Sequence, residues 1–211
     1  MAVIQYVCIP HSYVSYTLTC LLENDVKVKV LVAYASKYGA TKGIADFIAE
    51  RLRISGLEVD IFAVDDVINA GDYGAFVIGS ALYMGRWLKE AIRFVSRKNS
   101  ILSARPVWLF SSGPIGQERI DAKGRDLADP SVSGPVDLER IKSGLQVKDH
   151  RVFFGAFDPS HLGFFTRQIF KSQAVRSASP VGDFRDWNEI GEWAGEITQA
   201  LRYEIHVEAV G

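Results

Sequence analysis

Three short segments carry residues suited to ligand chemistry, and each follows an apolar run. The first is Ser36-Lys37-Tyr38-Gly39-Ala40-Thr41, which leads straight into a helical pattern. Two hydroxyls, a glycine that lets the backbone turn, and free N–H groups at a helix start make an anion cradle. The same residues also serve an ordinary strand-to-helix turn, with Ser36 and Thr41 as caps. The segment is neither GxxxxGK[ST] nor GxGxxG, which disfavours nucleoside triphosphates and Rossmann-type dinucleotides. The second is Gly79-Ser80-Ala81-Leu82-Tyr83-Met84-Gly85-Arg86-Trp87, where aromatic rings beside glycines could flank a planar ligand or staple the next helix to a sheet. The third is Ser111-Ser112-Gly113-Pro114-Ile115-Gly116, whose small residues would let backbone amides come close to a ligand.

The elements that must position these segments follow from the hydrophobic pattern. Val28–Ala35 is nearly continuous in apolar residues, as expected of a strand buried on both faces. Leu57–Val64, Ala75–Ser80, Pro106–Ser111 and Arg151–Phe157 read as four further strands. Helical spacing runs through Ile44, Phe47, Ile48 and Leu52, again from Trp87 through Leu88, Ala91, Ile92 and Val95, and finally from Trp187 to Leu201. Alternating strands and helices predict a parallel sheet covered on both sides. In such a sheet ligands bind beyond the carboxyl ends of the strands, where strand order reverses, so all three segments fall at one edge. Gln117–His150 reads as a long functional loop in which only Asp137–Leu145 looks helical, with Asp137 as its cap.

Composition narrows the function classes. There are 24 basic and 25 acidic residues in 211, so the basic bias of a nucleic-acid binder is missing. No apolar stretch reaches about 18 residues, the length expected of a spanning helix. The two cysteines, Cys8 and Cys20, precede every predicted element, and His11, His150, His161 and His206 are scattered, so no metal site is expected. Residues 1–25 read as an extension before a domain at 26–211. No basic residue precedes Glu23, and Leu18-Thr19-Cys20 fits a lipidation box poorly, so neither export nor lipidation is expected.

From Val28 to about Leu201 the chain resembles the flavodoxin family. The first segment is similar to that family's phosphate pattern, hydroxyl-x-Thr-Gly-x-Thr, with Tyr38 standing where Thr is usual. Within the family it looks like the proteins grouped with menaquinone-dependent protoporphyrinogen IX dehydrogenase. That likeness rests on Tyr34–Thr41, Gly79–Gly85, the aromatic segment after the fifth strand, and Asp183-Phe184-Arg185-Asp186-Trp187. The resemblance implies an α/β flavodoxin-like fold: a doubly wound, five-stranded parallel sheet in the order 2-1-3-4-5, with helices on both faces. It implies FMN, with Ser36, Tyr38, Gly39, Ala40 and Thr41 at the phosphate and Lys37 among the cofactor-binding residues. Ser80, Ala81, Leu82, Tyr83, Met84 and Gly85 would lie on one side of the isoalloxazine, and Ser111, Ser112, Gly113 and Pro114 on the other.

Three functions are then in view. One is an FMN oxidoreductase passing electrons from a reduced organic substrate to a quinone-like acceptor. Another is a soluble electron carrier for redox proteins, and the third a flavin-binding interaction domain. Near-neutral charge disfavours a carrier that docks through an acidic surface. Phe164, Phe165 and Phe170, set among Arg167 and Lys171, offer either core or a surface for an apolar substrate or for peripheral membrane contact. A cytoplasmic location, at most peripheral at the membrane, is expected. Asp158 and His161 follow the fifth strand, where a lone surface histidine is ordinarily just solvated, and neither reads as catalytic.

Overall fold

Val30, Leu31, Val32 and Ala33 alternate between the two faces of a strand, yet all four are fully buried. Both faces of this strand are therefore covered, as its unbroken apolar run requires. The computed structural model describes residues 28–158 and 180–210. The strand is β1 (Lys29–Ala35), followed by helix α1 (Ala40–Ile54) and β2 (Glu58–Ala63). A 3-10 turn at Val64–Asp66 leads to β3 (Ala75–Tyr83), a two-residue β4 (Arg86–Trp87), α2 (Lys89–Leu102) and β5 (Pro106–Ser112). Short helices α3 (Pro130–Ser133) and α4 (Leu138–Lys142) precede β6 (Gln146–Phe153). The small strands β7 (Ala156–Phe157) and β8 (Gly182–Asp183) pair with each other ahead of α5 (Trp187–Val210).

The main sheet runs β2-β1-β3-β5-β6 and every neighbouring pair is parallel. With β4 a hairpin return off this path, the order is the expected 2-1-3-4-5. The apolar faces of α1 and α5 close one side through Ile44, Ile48, Leu52, Ile190, Trp193 and Ile197. On the other side α2 packs Ala91, Phe94, Val95 and Leu102 against Leu31, Phe76, Ile78 and Leu109. Each fully buried Leu, Ile or Phe contributes about 1.5–3 kcal/mol, so both layers hold the sheet rigid beneath its carboxyl edge.

Four expectations are corrected. The fifth large strand spans Gln146–Phe153 rather than Arg151–Phe157, because its polar first half lies on a sheet edge that tolerates Lys148 and Asp149. The chain leaves that strand at Phe154–Gly155, and Ala156–Phe157 joins a separate ribbon. Trp87 belongs to β4, not to a helix, and Gly79–Tyr83 extends β3 rather than forming a loop. Gln117–His150 is partly built, by α3, α4 and the start of β6. Asp137 does occupy the N-cap position of α4, but its side chain makes no capping bond.

Candidate functional site

The chain turns sharply after β1. Ser36 Oγ accepts a hydrogen bond from the Gly39 N–H at 3.0 Å, closing the turn. Gly39 has φ 89°, a left-handed conformation in which a side chain would be strained, although a Cβ there would meet no neighbour within 4 Å. Glycine is needed there for its backbone, not for space. The Gly43 N–H then donates to Gly39 O at 3.0 Å and the helix begins. The N–H groups just before it, from Ala40 to Lys42, precede the ladder and are left for a ligand. The first turn of α1 holds no acidic residue to occupy that end. Thr41, only 1% exposed, faces the same place, while Lys42 turns outward to Asp46 at 2.7 Å.

The second wall is the β3–β4 hairpin. Met84 and Gly85 have φ 51° and 71°, so the two-residue turn carries positive φ at both central positions, the geometry suited to strand twist. Tyr83 pairs with Arg86 and Leu82 with Trp87. Trp87 is buried, and its Nε1 donates to Ser111 Oγ at 2.8 Å; Ser111 Oγ is in turn bonded to His150 Nε2 at 2.9 Å. Ser80 Oγ accepts from Leu88 N and donates to Ala81 O, both at 3.0 Å. These two buried serines therefore fasten the hairpin from behind.

The third wall is the loop after β5. Gly113 N donates to Phe153 O at 3.0 Å, and Gly155 N to Pro114 O at 2.8 Å. A Cβ on Gly113 would lie 2.6 Å from Leu82 Cδ1, so a side chain there would have to push the tip of Leu82 aside where the second and third walls meet.

Together the walls enclose a cavity of about 210 Å³. Ser36, Lys37, Tyr38, Ala40, Thr41, Ala81, Leu82, Tyr83, Ser112 and Gly113 line it, with Gly39 at its margin beside Tyr38 and Ala40. The sequence-predicted Ser80, Met84, Gly85, Ser111 and Pro114 are not on its wall. Ser80 and Ser111 are turned into the core, Met84 is 88% exposed at the hairpin tip, and Pro114 contributes its carbonyl to Gly155. Sequence reasoning missed Leu88, Ile115, Gly155, Ala156 and Phe157, which complete the lining. Gly155 interrupting an aromatic run was the one available signal. His161, Phe164, Phe165 and Phe170 lie outside the described residues.

Charges are distributed unevenly. The Lys37 ammonium lies 4.1 Å from the centroid of the Tyr83 ring and 5.2 Å from that of Tyr38. Arg185 is clamped by Asp183 at 2.7 and 2.6 Å, stacks on Trp187 at 4.4 Å, and donates from Nη1 to Ala40 O at 3.3 Å. Its guanidinium holds the Asp183 carboxyl below the usual carboxylate range. A Cβ on Gly43 would collide with Arg185 Nη1, so this glycine admits the guanidinium to the first turn of α1. Burial, aided by the charge of Lys142, pushes His150 down to about 4. Its Nδ1 is buried without a hydrogen-bond partner among the described residues. On the far side of Lys37 and Tyr83 lies a larger groove of about 850 Å³, reaching Tyr34, Val64, Asp65, Arg86, Leu88 and Ile92.

An anion cradle at one end and an apolar slot beside it fit a ligand with a terminal phosphate and a planar ring system. The cradle lies where the chain steps from β1 outward to β2 and back to β3, the reversal point of the sheet. No helix among the described residues is long and apolar enough to cross a membrane.

Residues 31–176 match a family model described as a flavodoxin domain. Among curated proteins none matches. Among solved structures, oxidised flavodoxin 1 from Bacillus cereus is 15% identical with a TM-score of 0.51, over 81% of this chain and 97% of that one. A flavodiiron core from Synechocystis is 16% identical with a TM-score of 0.53, over 92% of this chain and 41% of that one. Rubredoxin oxygen:oxidoreductase from Desulfovibrio gigas is 15% identical with a TM-score of 0.52, over 92% and 42%. This chain therefore spans under half of the last two proteins. At these identities the likeness is one of fold.

Proposed function

Because the chain belongs to the flavodoxin domain family, we propose that its cavity holds FMN and that the protein transfers electrons through it. The observation that carries this reading is the pairing, in one cavity, of the α1 N-terminus with a slot between Tyr83 and Phe157. The backbone N–H groups of Ala40 and Thr41, with the hydroxyls of Ser36 and Thr41, would hold the phosphate. Leu82, Tyr83, Ile115, Ala156 and Phe157 would bound the isoalloxazine and exclude water from it. Bound FMN supplies the redox chemistry; the protein positions the ring and sets its electrostatic surroundings. Electron exchange needs only that the ring edge reach a partner, so the simplest form of this reading is a flavodoxin-type carrier.

A specific observation favours a second form. The groove of about 850 Å³ shares Lys37, Tyr83 and Leu88 with the smaller cavity, leaving room for an organic substrate beside the ring. On this form the protein is an oxidoreductase that hands electrons to a quinone-like acceptor, in keeping with the resemblance to protoporphyrinogen dehydrogenases. Purified protein is expected to absorb at about 375 and about 450 nm, as oxidised flavin does, and to release FMN rather than FAD on denaturation. A colourless protein that cannot be reconstituted with FMN refutes the proposal. Stopped-flow reoxidation then separates the two forms: fast reaction with small redox proteins selects the carrier, and fast reaction with menaquinone analogues selects the oxidoreductase.

A further inference from the structure

The cavity has a peculiar charge balance. Among the described residues that line it, Lys37 alone bears a full charge; the others are small, hydroxyl-bearing, aromatic or aliphatic, and no carboxylate is among them. Asp65 and Glu90 line the adjoining groove rather than the cavity, and three other nearby carboxylates are paired. Asp46 pairs with Lys42 at 2.7 Å, Asp183 with Arg185 at 2.6 Å, and Asp137 lies 3.6 Å from Arg86. Among the described residues the Lys37 ammonium makes no ion pair, and it rests on the faces of Tyr83 and Tyr38. Tyr83 itself lines the cavity, so the ammonium is stationed at the slot rather than extended freely into solvent.

We infer that Lys37 sets the redox potential of the flavin, raising it by stabilising the reduced ring. This inference rests on the FMN reading. Two electrons and one proton added to the oxidised, neutral ring leave one negative charge on the reduced ring. A cation beside an apolar slot favours that charged product over the neutral reactant, as an opposite charge favours any ionised group. No carboxylate stands among the described residues of the wall, so the nearest full charge there is the ammonium and it sets the sign. Lys37 is an exposed residue and solvent screens it, so the effect is about tenfold in the reduction equilibrium rather than thousandfold. A raised potential makes the reduced protein a milder donor, matched to organic acceptors and less able to drive strongly reducing protein carriers.

The test is a charge series, Lys37→Arg, Lys37→Gln and Lys37→Glu, in the full FMN-loaded protein. Each is equilibrated with a reference dye of known potential, and the reduced fractions of dye and flavin are read by absorbance. Arg should lie within about twofold of wild type, and Gln should be about tenfold harder to reduce, which is about 30 mV for a two-electron couple. Glu should be about tenfold harder again. Oxidised FMN should lose affinity less steeply along the series than reduced FMN, because the phosphate feels the missing cation in both states and the ring charge only in the reduced one. A series that does not follow charge, or oxidised and reduced FMN losing affinity equally, overturns the inference. If wild type binds FMN and the series is flat, the inference alone fails; if wild type binds no flavin, the FMN reading fails and takes the inference with it.

Discussion

Thr41→Asp isolates the phosphate end of the cavity. Thr41 is 1% exposed and occupies the second position of α1, after the Gly39 cap. A carboxylate there faces helix N–H groups that favour negative charge, which offsets part of the cost of placing it at a site only 1% exposed. Circular dichroism of the apo-protein checks that the fold survives. The same carboxylate stands where the phosphate of FMN must come. Two unit charges about 4 Å apart at an effective dielectric near 20 repel by about 4 kcal/mol, or close to a thousandfold in affinity. A phosphate monoester carries about −1.5 to −2 charge at neutral pH, which keeps the estimate from shrinking much under screening. Quenching of flavin fluorescence during titration measures both FMN and riboflavin on both proteins. FMN should lose about a thousandfold and riboflavin, which has no phosphate, about tenfold or less. Raising ionic strength should narrow the difference. Equal losses for the two flavins would show that Thr41 acts through folding, and the phosphate assignment would be wrong.

Other perturbations probe the frame around the cavity. Gly79→Ala would drive a methyl into the ring of Phe110, itself locked against Phe153 and Trp193, so urea unfolding should reveal a loss of about 1–3 kcal/mol or more. Gly43→Ala and Arg185→Ala should each weaken FMN binding by about five- to tenfold, and the double variant should lose little more than either. Additive losses would show that the guanidinium and the first turn of α1 are uncoupled. His150 titrates at about 4 in the folded protein and near 6.5 when unfolded, so the unfolded chain binds the extra proton between those values. Stability should therefore fall by up to about 3 kcal/mol as pH drops through that window. The depressed carboxylates, Asp60 and Asp183 among them, act lower, below about 3.8, where their unfolded forms take up protons. His150→Gln should flatten the upper part of the profile, and an unchanged slope would dissociate it from this residue.

What was legible in the sequence was what local chemistry enforces. The run Val30–Ala33 could only be a strand covered twice, and Gly39 between hydroxyls could only be a turn feeding a helix. The hairpin was hidden because its first turn residue is Met84, a residue type that seldom adopts positive φ and gives no turn signal. The start of β6 was hidden because an edge strand need not be apolar; its Asp149 accepts from Trp193 Nε1 at 2.8 Å and pairs with Arg151. The far wall, Gly155–Phe157, meets the hairpin only through pairing between β5 and β6, which no local pattern encodes. Arg185 stood in a segment marked only by resemblance, and its contact with Ala40 joins residues that no local window brings together.

The two ends of the cavity are built on different electrostatics, and this separates affinity from potential. At the phosphate end the positive potential comes mainly from backbone N–H groups, fixed by Gly39. Arg185 is close by, yet Asp183 neutralises its charge and Ala40 O takes one of its donors, so it braces the loop more than it attracts anions. At the ring end the one full charge among the described lining residues is a flexible side chain resting on Tyr83. Changes at Thr41 should therefore alter how tightly FMN is held in either oxidation state, leaving its potential nearly fixed. Changes at Lys37 should move the potential, because they weigh more on the reduced than on the oxidised ring. A chain so arranged could shift its choice of electron partner by one substitution in the loop after β1 without giving up the cofactor, because the groups that hold the phosphate are mostly main chain.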